Sequence, residues 1–461
     1  MTVGVTVMPE FLQNEGIDAV LNRLVAAGVT DVATSPYVAE PADAATGSRE
    51  PPIDAGAGSV RLLDRPLWGK RELFLRTAPS FVPDKKLYQG LRYQPAEASA
   101  LTARDGGKIT EFIRGCHARH LKVHLQFQAA IPPGYRVQFG GPQPEDAPRL
   151  PDGRVPPKRF ANNGSLASHH ITDYTVALTK DLLRAYPEID GIRYDWPEYP
   201  PYLLDDVFLD FSDHAKQAAT RLGYPFERMR QSALTVYQKL HGGLTNDDLD
   251  QDWSRYGVVR AISHQPAVLD WLRFKALLAE ELFVKLRSVV PPGIAIAAGA
   301  FPPPFSLASG MDYARIGRHI SEFHVKLYTM HWPAMFRFYG DALMAANPKL
   351  DERLLVRTLS SWLEITDGLD GERLADYKYP EPEQSHPVGA KVQAAKIKQA
   401  QAEAGKTPVL AFVHGYGPVN DFAKRLQIGW NASKHGIWIN RYGYLSNEKL
   451  DRIRDLVKAS R

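Results

Sequence analysis

The chain has 461 residues, of which 44% are hydrophobic and 23% charged, with 56 Lys and Arg against 52 Asp and Glu. These values are typical of a globular protein and exclude the disordered and fibrous classes. No apolar run approaches the roughly 20 residues that span a bilayer. The net charge of +4 is spread without a basic block, so binding to nucleic acid or to a membrane is not predicted. The single cysteine, Cys116, excludes an intramolecular disulfide and a CxxC zinc site.

The amino-terminal segment MTVGVTVMPEF has neither the basic start nor the long apolar stretch of a signal peptide. We therefore expect a cytoplasmic protein, with a trimmed export signal as the alternative. A homo-oligomer is compatible with this composition.

Short apolar runs alternate with amphipathic segments along the chain, which predicts strands that alternate with helices. Eight strands are predicted, at Val3–Met8, Val29–Ser35, Leu121–Gln128, Ile189–Asp195, Gly293–Ala298, Phe323–Tyr328, Val409–Val413 and Gly436–Asn440. The clearest helices are predicted at Gly16–Ala27, Gly107–Arg119, Ile171–Tyr186, Pro266–Val290 and Asn447–Ala459.

Eight strands that each precede a helix predict a (β/α)₈ TIM barrel, an α/β fold. A doubly wound sheet also alternates, but no Gly-rich phosphate turn follows the first strand. We expect one domain over residues 1–461, with insertions at about 36–104, 129–170, 203–264 and 363–387. The first two are rich in Pro, Gly and aromatic residues, and we expect them to wall a deep cleft at the carboxyl end of the barrel, where active sites of this fold lie.

The segment from Asp190 to Pro200, DGIRYDWPEYP, carries the most informative chemistry. Arg193 and Asp195 are two residues apart and share one face of the fourth strand. The cation favours the ionised form of Asp195, which suits a nucleophile or a charge stabiliser. Glu198 follows among aromatic and proline residues, so we expect desolvation to raise its pKa and to suit it as a general acid. Glycosidic bond cleavage needs such a pair of carboxyl groups.

Asp190-Gly-Ile-Arg-Tyr-Asp195 resembles the strand-four signature of the α-amylase clan, Asp-Gly-Phe-Arg-x-Asp. This resemblance implies Asp195 as the nucleophile and Arg193 as its supporting cation. The stretch is also similar to the chitinase signature Asp-Gly-x-Asp-x-Asp-Trp-Glu-Tyr-Pro, which implies Glu198 as the acid. Strand five lacks the Glu of the amylase clan, and Pro197 is an extra residue against the chitinase pattern. The resemblance thus implies a TIM-barrel glycoside hydrolase and leaves its family open.

Further polar and aromatic residues lie at predicted strand ends or in the long loops, where they are expected to bind a sugar. Lys326, Tyr328 and His331 follow strand six, although Lys326 is also placed to pair with a barrel carboxylate and His331 to cap the next helix. His124, Gln126 and Gln128 share one face of strand three, which suits hydroxyl recognition. The predicted substrate-binding residues are Glu10, Tyr37, Trp68, Arg71, Gln126, Arg193, Trp196, Lys326, Tyr328, His331, His414, Tyr416, Asn440 and Arg441.

The sequence predicts a glycoside hydrolase that acts on an oligosaccharide or small glycoside with Asp195 and Glu198 as its catalytic carboxyl groups. Glu10 is a third carboxylate and is the alternative candidate for either of these two catalytic roles. No cofactor or catalytic metal is expected, because the adjacent His169 and His170 have no further ligand at a recognised spacing. The alternatives are a Schiff-base lyase or aldolase that uses Lys326, and a non-catalytic sugar-binding barrel.

Overall fold

The structure is a computed structural model that describes residues 1–52, 61–135 and 140–460. Its strands are β1 (Thr2–Thr6), β2 (Asp31–Thr34), β3 (Tyr37–Ala42), β4 (Ser48–Glu50), β5 (Leu73–Pro79), β6 (Lys122–Gln128), β7 (Gly191–Asp195), β8 (Ala295–Ala300), β9 (Glu322–Leu327), β10 (Val409–His414) and β11 (Gly436–Asn440).

Helices cover the outside of the sheet and fill most of the longer connections. They are α1 (Pro9–Glu15), α2 (Ile17–Ala26), α3 (Ala100–Asp105), α4 (Gly107–His117), α5 (His169–Ala185), α6 (Leu204–Val207), α7 (Asp213–Leu222), α8 (Phe226–Leu240), α9 (Asn246–Leu249), α10 (Arg255–Ser263), α11 (Pro266–Val289), α12 (Phe305–Ser309), α13 (Tyr313–Ile316), α14 (His331–Ala346), α15 (Glu352–Trp362), α16 (Ala390–Ala404), α17 (Val419–Ala432) and α18 (Asn447–Ala459). Among the described helices, none is both long enough and apolar enough to cross a bilayer.

Eight parallel strands close into a barrel in the order β1-β11-β10-β9-β8-β7-β6-β2. Each of these strands corresponds to one predicted from the sequence, so the predicted (β/α)₈ fold is confirmed. Strands β2, β7 and β8 each begin two residues later than predicted, and β8 also ends two residues later. Before β8 the Ile294 N–H donates to the Pro291 carbonyl in a turn.

The insertion after β2 contains regular structure that the sequence analysis did not predict. Strands β3, β5 and β4 form a separate three-stranded antiparallel sheet. The segment directly after β1 also differs from expectation, because Pro9 begins helix α1 and places Glu10 on that helix. Proline is favoured at the first position of a helix, where its missing N–H costs no hydrogen bond.

The Trp438 side chain of β11 fills part of the barrel interior and packs against the neighbouring strand β1. Gly4 is the register partner of Trp438, and the indole Nε1 donates to Thr6 Oγ1 at 3.0 Å. Ala33, Leu410 and Phe412 complete this apolar group inside the barrel. A Cβ atom at Gly4 would lie 2.2 Å from the Trp438 ring, so only glycine leaves room for the indole.

We expect Gly4→Ala to lower the free energy of unfolding by about 1–3 kcal/mol or more, because overfilling a packed interior forces side chains or backbone to move. Urea denaturation measures this change. Gly107→Ala is the matched control, because Gly107 begins α4 and nothing lies within 4 Å of its added Cβ. Equal stability of the two variants would contradict the packing role of Gly4.

Candidate active site

A cavity opens at the carboxyl end of the barrel strands. Its lining comes from strand ends and from the segments that follow β2, β6 and β7. The lining residues are Met8, Pro52, Arg61, Gln126, Gln128, Tyr135, Asp195, Trp196, Tyr202, Tyr328, His331, Phe412, His414, Asn440 and Arg441. The predicted site residues among them are Gln126, Asp195, Trp196, Tyr328, His331, His414, Asn440 and Arg441.

Asp195 is the carboxylate among the described residues that lines this cavity. Its Oδ1 lies 2.9 Å from Lys326 Nζ and accepts a hydrogen bond from the Trp196 N–H at 3.1 Å. Burial opposes ionisation of this carboxyl, but the Lys326 ammonium, with help from Arg193, outweighs burial and lowers the pKa of Asp195. The cavity therefore contains a carboxylate that stays ionised near neutral pH.

Gly299 of β8 allows the close approach of Asp195 and Lys326. A Cβ atom at this position would lie 2.8 Å from Asp195 Oδ1 and 3.5 Å from Lys326 Cε. The ammonium also lies 5.5 Å from the centre of the Trp196 ring and 5.0 Å from that of Phe301. Lys326 is only 2% exposed, so little water reaches its charge. One carboxylate and two aromatic rings stabilise the ammonium instead.

Glu198 lies next to this ion pair but does not line the cavity. Its side chain is fully buried, and its oxygens accept hydrogen bonds from Ser309 Oγ and from the Phe301 N–H, the latter at 3.2 Å. Burial raises the pKa of Glu198 to about 7, and it outweighs the opposing attraction of Lys326 and the two hydrogen bonds. The raised pKa agrees in direction with the sequence-based expectation, whereas the position behind the cavity wall was not foreseen.

Arg193 lies below the cavity, inside the barrel. Its guanidinium donates to Gln126 Oε1 from two nitrogens, to Thr6 Oγ1 at 2.6 Å and to His324 Nδ1 at 3.2 Å. It also lies 4.8 Å from the ring centres of Phe412 and Trp438. Burial lowers the pKa of Arg193 to about 10, which still leaves it charged near neutral pH. Arg193 therefore organises the floor of the site and does not line it.

A histidine supports this floor on the far side of Arg193. His324 Nε2 lies 2.8 Å from Glu322 Oε1, while its Nδ1 faces Arg193. Burial lowers the pKa of His324 to about 4, so the ring is neutral. These contacts assign the tautomer in which Nε2–H donates to Glu322 and Nδ1 accepts from Arg193.

Several predicted binding residues lie outside the cavity lining. Glu10 is fully buried on α1 and accepts a hydrogen bond from the Tyr37 hydroxyl at 2.9 Å. The Tyr416 hydroxyl donates to the Pro380 carbonyl at 2.8 Å. Trp68, which is 37% exposed, lines a separate surface depression on the insertion after β2, and Arg71 Nε donates to the Leu63 carbonyl.

Histidine and arginine side chains also lie at the carboxyl ends of β10 and β11, across the barrel from Asp195. Arg441 forms an ion pair with the buried Glu50, and Arg61 Nη1 lies 3.4 Å from His414 Nε2. Arg61 comes from an insertion and shows no pattern in the sequence that marks it as a site residue. His331 begins α14 without a side-chain capping hydrogen bond, so the expectation that it caps this helix is wrong.

The described residues contain no group of three or more His, Cys, Asp or Glu side chains that could hold a metal ion. His169 and His170 stack at 3.8 Å between ring centres, and the nearby His214 Nε2 lies 2.9 Å from Asp146 Oδ1. Asp146 also accepts hydrogen bonds from Tyr93 and Ser168. These contacts join residues from three insertions.

No protein-family model and no curated protein matches this sequence. Solved structures do match it. The glycoside hydrolase domain of PgaB (BpsB) from Bordetella bronchiseptica aligns with a TM-score of 0.50 and 11% identity over 99% of this chain and 98% of its own. A β-galactosidase from Bacillus circulans sp. alkalophilus aligns with a TM-score of 0.50 and 12% identity over 99% of this chain and 55% of its own. This chain shares their barrel fold. At such low identity the likeness extends to the fold and not to individual residues.

The buried Glu198 predicts a pH-dependent stability. Because its pKa of about 7 in the folded state lies above the ordinary value of 4.5, its contribution is fully present below pH 4.5 and is lost as the pH rises through 7. We expect the wild-type protein to lose up to about 3 kcal/mol relative to Glu198→Gln between pH 4.5 and 8.5. Urea denaturation of both proteins across this range measures the difference.

The comparison with Glu198→Gln cancels other titrating groups, such as Asp206, whose pKa burial raises to about 6. Glu188→Gln serves as a control because its side chain is exposed and lies 4.0 Å from Arg114. Parallel stability curves for the wild-type protein and Glu198→Gln would show that the Glu198 pKa is not raised.

Proposed function

We propose that this chain is a glycoside hydrolase that acts on an oligosaccharide or small glycoside. The observation that carries the proposal is the pair of neighbouring carboxyl groups whose pKa values are shifted in opposite directions, down for Asp195 and up to about 7 for Glu198. Such a split separates an anionic partner from a proton donor near neutral pH. The barrel fold and the position of Asp195 at the carboxyl end of β7 support this reaction class.

In this proposal Asp195 is the anionic partner of the reaction. Its carboxylate lines the cavity and is held by Lys326 at 2.9 Å, so one oxygen is fixed before substrate arrives. A fixed carboxylate stabilises the positive charge that develops on the sugar in an oxocarbenium-like transition state. Asp195 either attacks the anomeric carbon or stabilises its charge.

Glu198 is the proposed proton donor to the leaving oxygen. A carboxyl group with a pKa of about 7 still carries its proton in a large fraction of molecules at neutral pH. Its oxygens are held by Ser309 and the Phe301 N–H behind the cavity wall. The role therefore requires a rotation of the side chain that breaks the Ser309 hydrogen bond and brings the carboxyl into the cavity.

The aromatic lining of the cavity suits a sugar. Tyr135, Trp196, Tyr202, Tyr328 and Phe412 surround the space near Asp195. Aromatic rings stack on the apolar faces of sugar rings, while amide and hydroxyl groups bind their polar edges. Contributions from two insertions enclose the cavity, which favours a small glycoside or a chain end over the middle of a long polymer.

The two alternative functions have less support in the described residues. Lys326 forms an ion pair with Asp195, and an ammonium so paired carries the proton that a Schiff-base amine must lack. A carboxylate also accepts hydrogen bonds from sugar hydroxyls, so Asp195 alone does not separate hydrolysis from binding, and the opposite pKa shifts of Asp195 and Glu198 are what favour hydrolysis. The binding alternative is supported by the position of Glu198, because its carboxyl group lies behind the cavity wall and does not line the cavity.

Substitutions of the two carboxyl groups are expected to slow glycoside hydrolysis in different ways. Asp195→Asn removes the charge that offsets the oxocarbenium ion, so hydrolysis of glycosides with good and with poor leaving groups should both fall. Glu198→Gln removes a proton donor worth roughly 10²–10⁴-fold. It should slow glycosides with basic leaving groups by that factor and largely spare activated aryl glycosides. A leaving-group series of kcat/KM on both variants is the measurement.

Asp190→Asn is the matched control for this series. Asp190 belongs to the same motif but lies at the start of the strand, where its Oδ2 accepts a hydrogen bond from the Val123 N–H. Its turnover should remain near that of the wild-type protein. Wild-type turnover by Asp195→Asn on a true substrate would end the assignment. Rescue by azide of Glu198→Ala that yields a glycosyl azide of retained configuration would indicate a retaining enzyme. Azide can replace the Asp195 carboxylate in Asp195→Ala under either mechanism, so the anomeric configuration of the product released by the wild-type protein distinguishes the two.

Borohydride trapping separates the proposal from the Schiff-base alternative. We expect no covalent adduct when the protein is incubated with aldehyde or keto sugars and sodium borohydride, because glycoside hydrolysis forms no imine. Intact-protein mass spectrometry detects an adduct, and Lys326→Met tests whether any adduct depends on this lysine. A stoichiometric adduct on Lys326 would favour the lyase or aldolase.

A further inference from the structure

Trp196 has a backbone conformation that its place in the chain does not favour. Its φ angle is +48°, in the left-handed region that residues with large side chains rarely adopt. Trp196 also precedes Pro197, and the residue before a proline normally takes an extended conformation with negative φ. Such a conformation is unfavourable by itself and persists only where the surrounding contacts impose it.

This conformation serves both members of the ion pair in the cavity. The Trp196 N–H donates to Asp195 Oδ1 at 3.1 Å, while the Trp196 ring lines the cavity and lies 5.5 Å from Lys326 Nζ. The φ angle sets the direction of a side chain relative to its own N–H. A change of Trp196 to negative φ would therefore separate the two contacts.

Asn163, from the insertion after β6, contacts the segment that contains Trp196. The Asn163 side chain is fully buried, and its Nδ2 donates to the Trp196 carbonyl at 2.8 Å and to the Glu198 carbonyl at 3.2 Å. Because both partners are carbonyl oxygens, the NH₂ group of the amide must face them. One amide thus bridges the segment that joins Asp195 to Glu198.

The backbone of Asn163 is itself held in place. Arg159 Nη1 donates to the Asn163 carbonyl at 2.6 Å, and Arg159 Nε donates to Asp206 Oδ1 of α6 at 3.2 Å. The N–H of the following Gly164 donates to the Ala130 carbonyl at 2.7 Å, just after β6. The amide therefore donates its hydrogen bonds from a fixed point.

The oxygen of the Asn163 amide makes no comparable contribution. Among the described residues, Oδ1 is buried and accepts no hydrogen bond. A buried acceptor without a partner opposes folding. The contribution of Asn163 therefore lies in its two donated hydrogen bonds, and both of them end on the segment between the two proposed catalytic groups.

We propose that Asn163 is a positioning residue for the proposed glycoside hydrolase. It holds Trp196 in the left-handed conformation and sets the position of Glu198 relative to Asp195, through the carbonyl oxygens of Trp196 and Glu198. This inference rests on the proposed function, in which Asp195 and Glu198 are the reacting groups. Asn163 does not line the cavity and touches no reacting atom.

The first test follows the pKa of Glu198 and needs no substrate. Free energies of unfolding are compared for proteins with Glu198 and with Glu198→Gln, in the wild-type and in the Asn163→Leu background, from about pH 4 to 9. In the wild-type background the two curves should diverge with rising pH and become parallel above the folded pKa of about 7. Without Asn163 the Glu198 carboxyl is less firmly held in its buried position, so the curves should become parallel about one pH unit or more lower.

Asn347→Leu is the matched control. Asn347 is buried, and its Nδ2 donates to the Leu240 and Leu343 carbonyls at 2.7 and 2.9 Å, but it lies at the end of α14 and does not line the cavity. Its loss should lower stability at every pH and leave the pKa of Glu198 unchanged. Asn163→Ser, which is a smaller change, covers the case in which Asn163→Leu does not fold.

The second test measures kcat and KM on glycosides that the wild-type protein hydrolyses. Asn163→Leu should lower kcat by about 10- to 100-fold, because displaced reacting groups lose their alignment. It should raise KM by a smaller factor, since Asn163 does not touch the cavity. The alkaline limb of the pH profile should move to lower pH together with the pKa of Glu198. Asn347→Leu should keep the wild-type kcat and pH profile.

The two tests separate this inference from the proposed function. A lowered pKa of Glu198 in Asn163→Leu, when the wild-type protein hydrolyses no glycoside, would support the positioning role and overturn the function. An unchanged pKa of Glu198 would overturn the positioning role, whatever the activity. An equal shift in Asn347→Leu would also overturn it, because the change would then come from a general loosening of the fold.

Discussion

The ion pair between Lys326 and Asp195 is the interaction on which the candidate site depends. A carboxylate and an ammonium that are both largely withdrawn from water are costly to bury separately. The structure offsets this cost with a 2.9 Å contact, two aromatic rings around the ammonium, and a glycine at position 299 that lets the groups meet. The pair keeps Asp195 ionised, whereas burial raises the pKa of the neighbouring Glu198 to about 7.

The polar floor below this pair explains why a charged residue can occupy a barrel interior. Arg193 is held by Gln126, Thr6 and His324, and it lies against the faces of two aromatic rings. A buried charge is tolerated when its hydrogen-bonding groups are satisfied. Arg193 in turn fixes the orientation of the Gln126 amide. Although Arg193 does not line the cavity, it thereby determines which atom of Gln126 faces the cavity.

The insertions convert an open barrel end into an enclosed cavity. Arg61 comes from the insertion after β2, Tyr135 from the insertion after β6, and Tyr202 from the segment after β7. Asp146 joins these segments through hydrogen bonds from Tyr93 and Ser168 and a 2.9 Å contact with His214 Nε2. A rigid barrel thus supplies the charged centre, and the longer segments supply most of the apolar wall against which a sugar would lie.

The sequence by itself determined the barrel, because the periods of strands and helices are local properties of the chain. It also located Asp195 at a strand end and indicated a raised pKa for Glu198, since both depend on adjacent residues. Tertiary structure alone decided which carboxyl faces the cavity. Glu198 is turned behind the wall by Ser309 and Phe301, and Glu10 is buried on a helix against Tyr37. These partners are distant in sequence, and a hydrophobic pattern carries no information about such pairings.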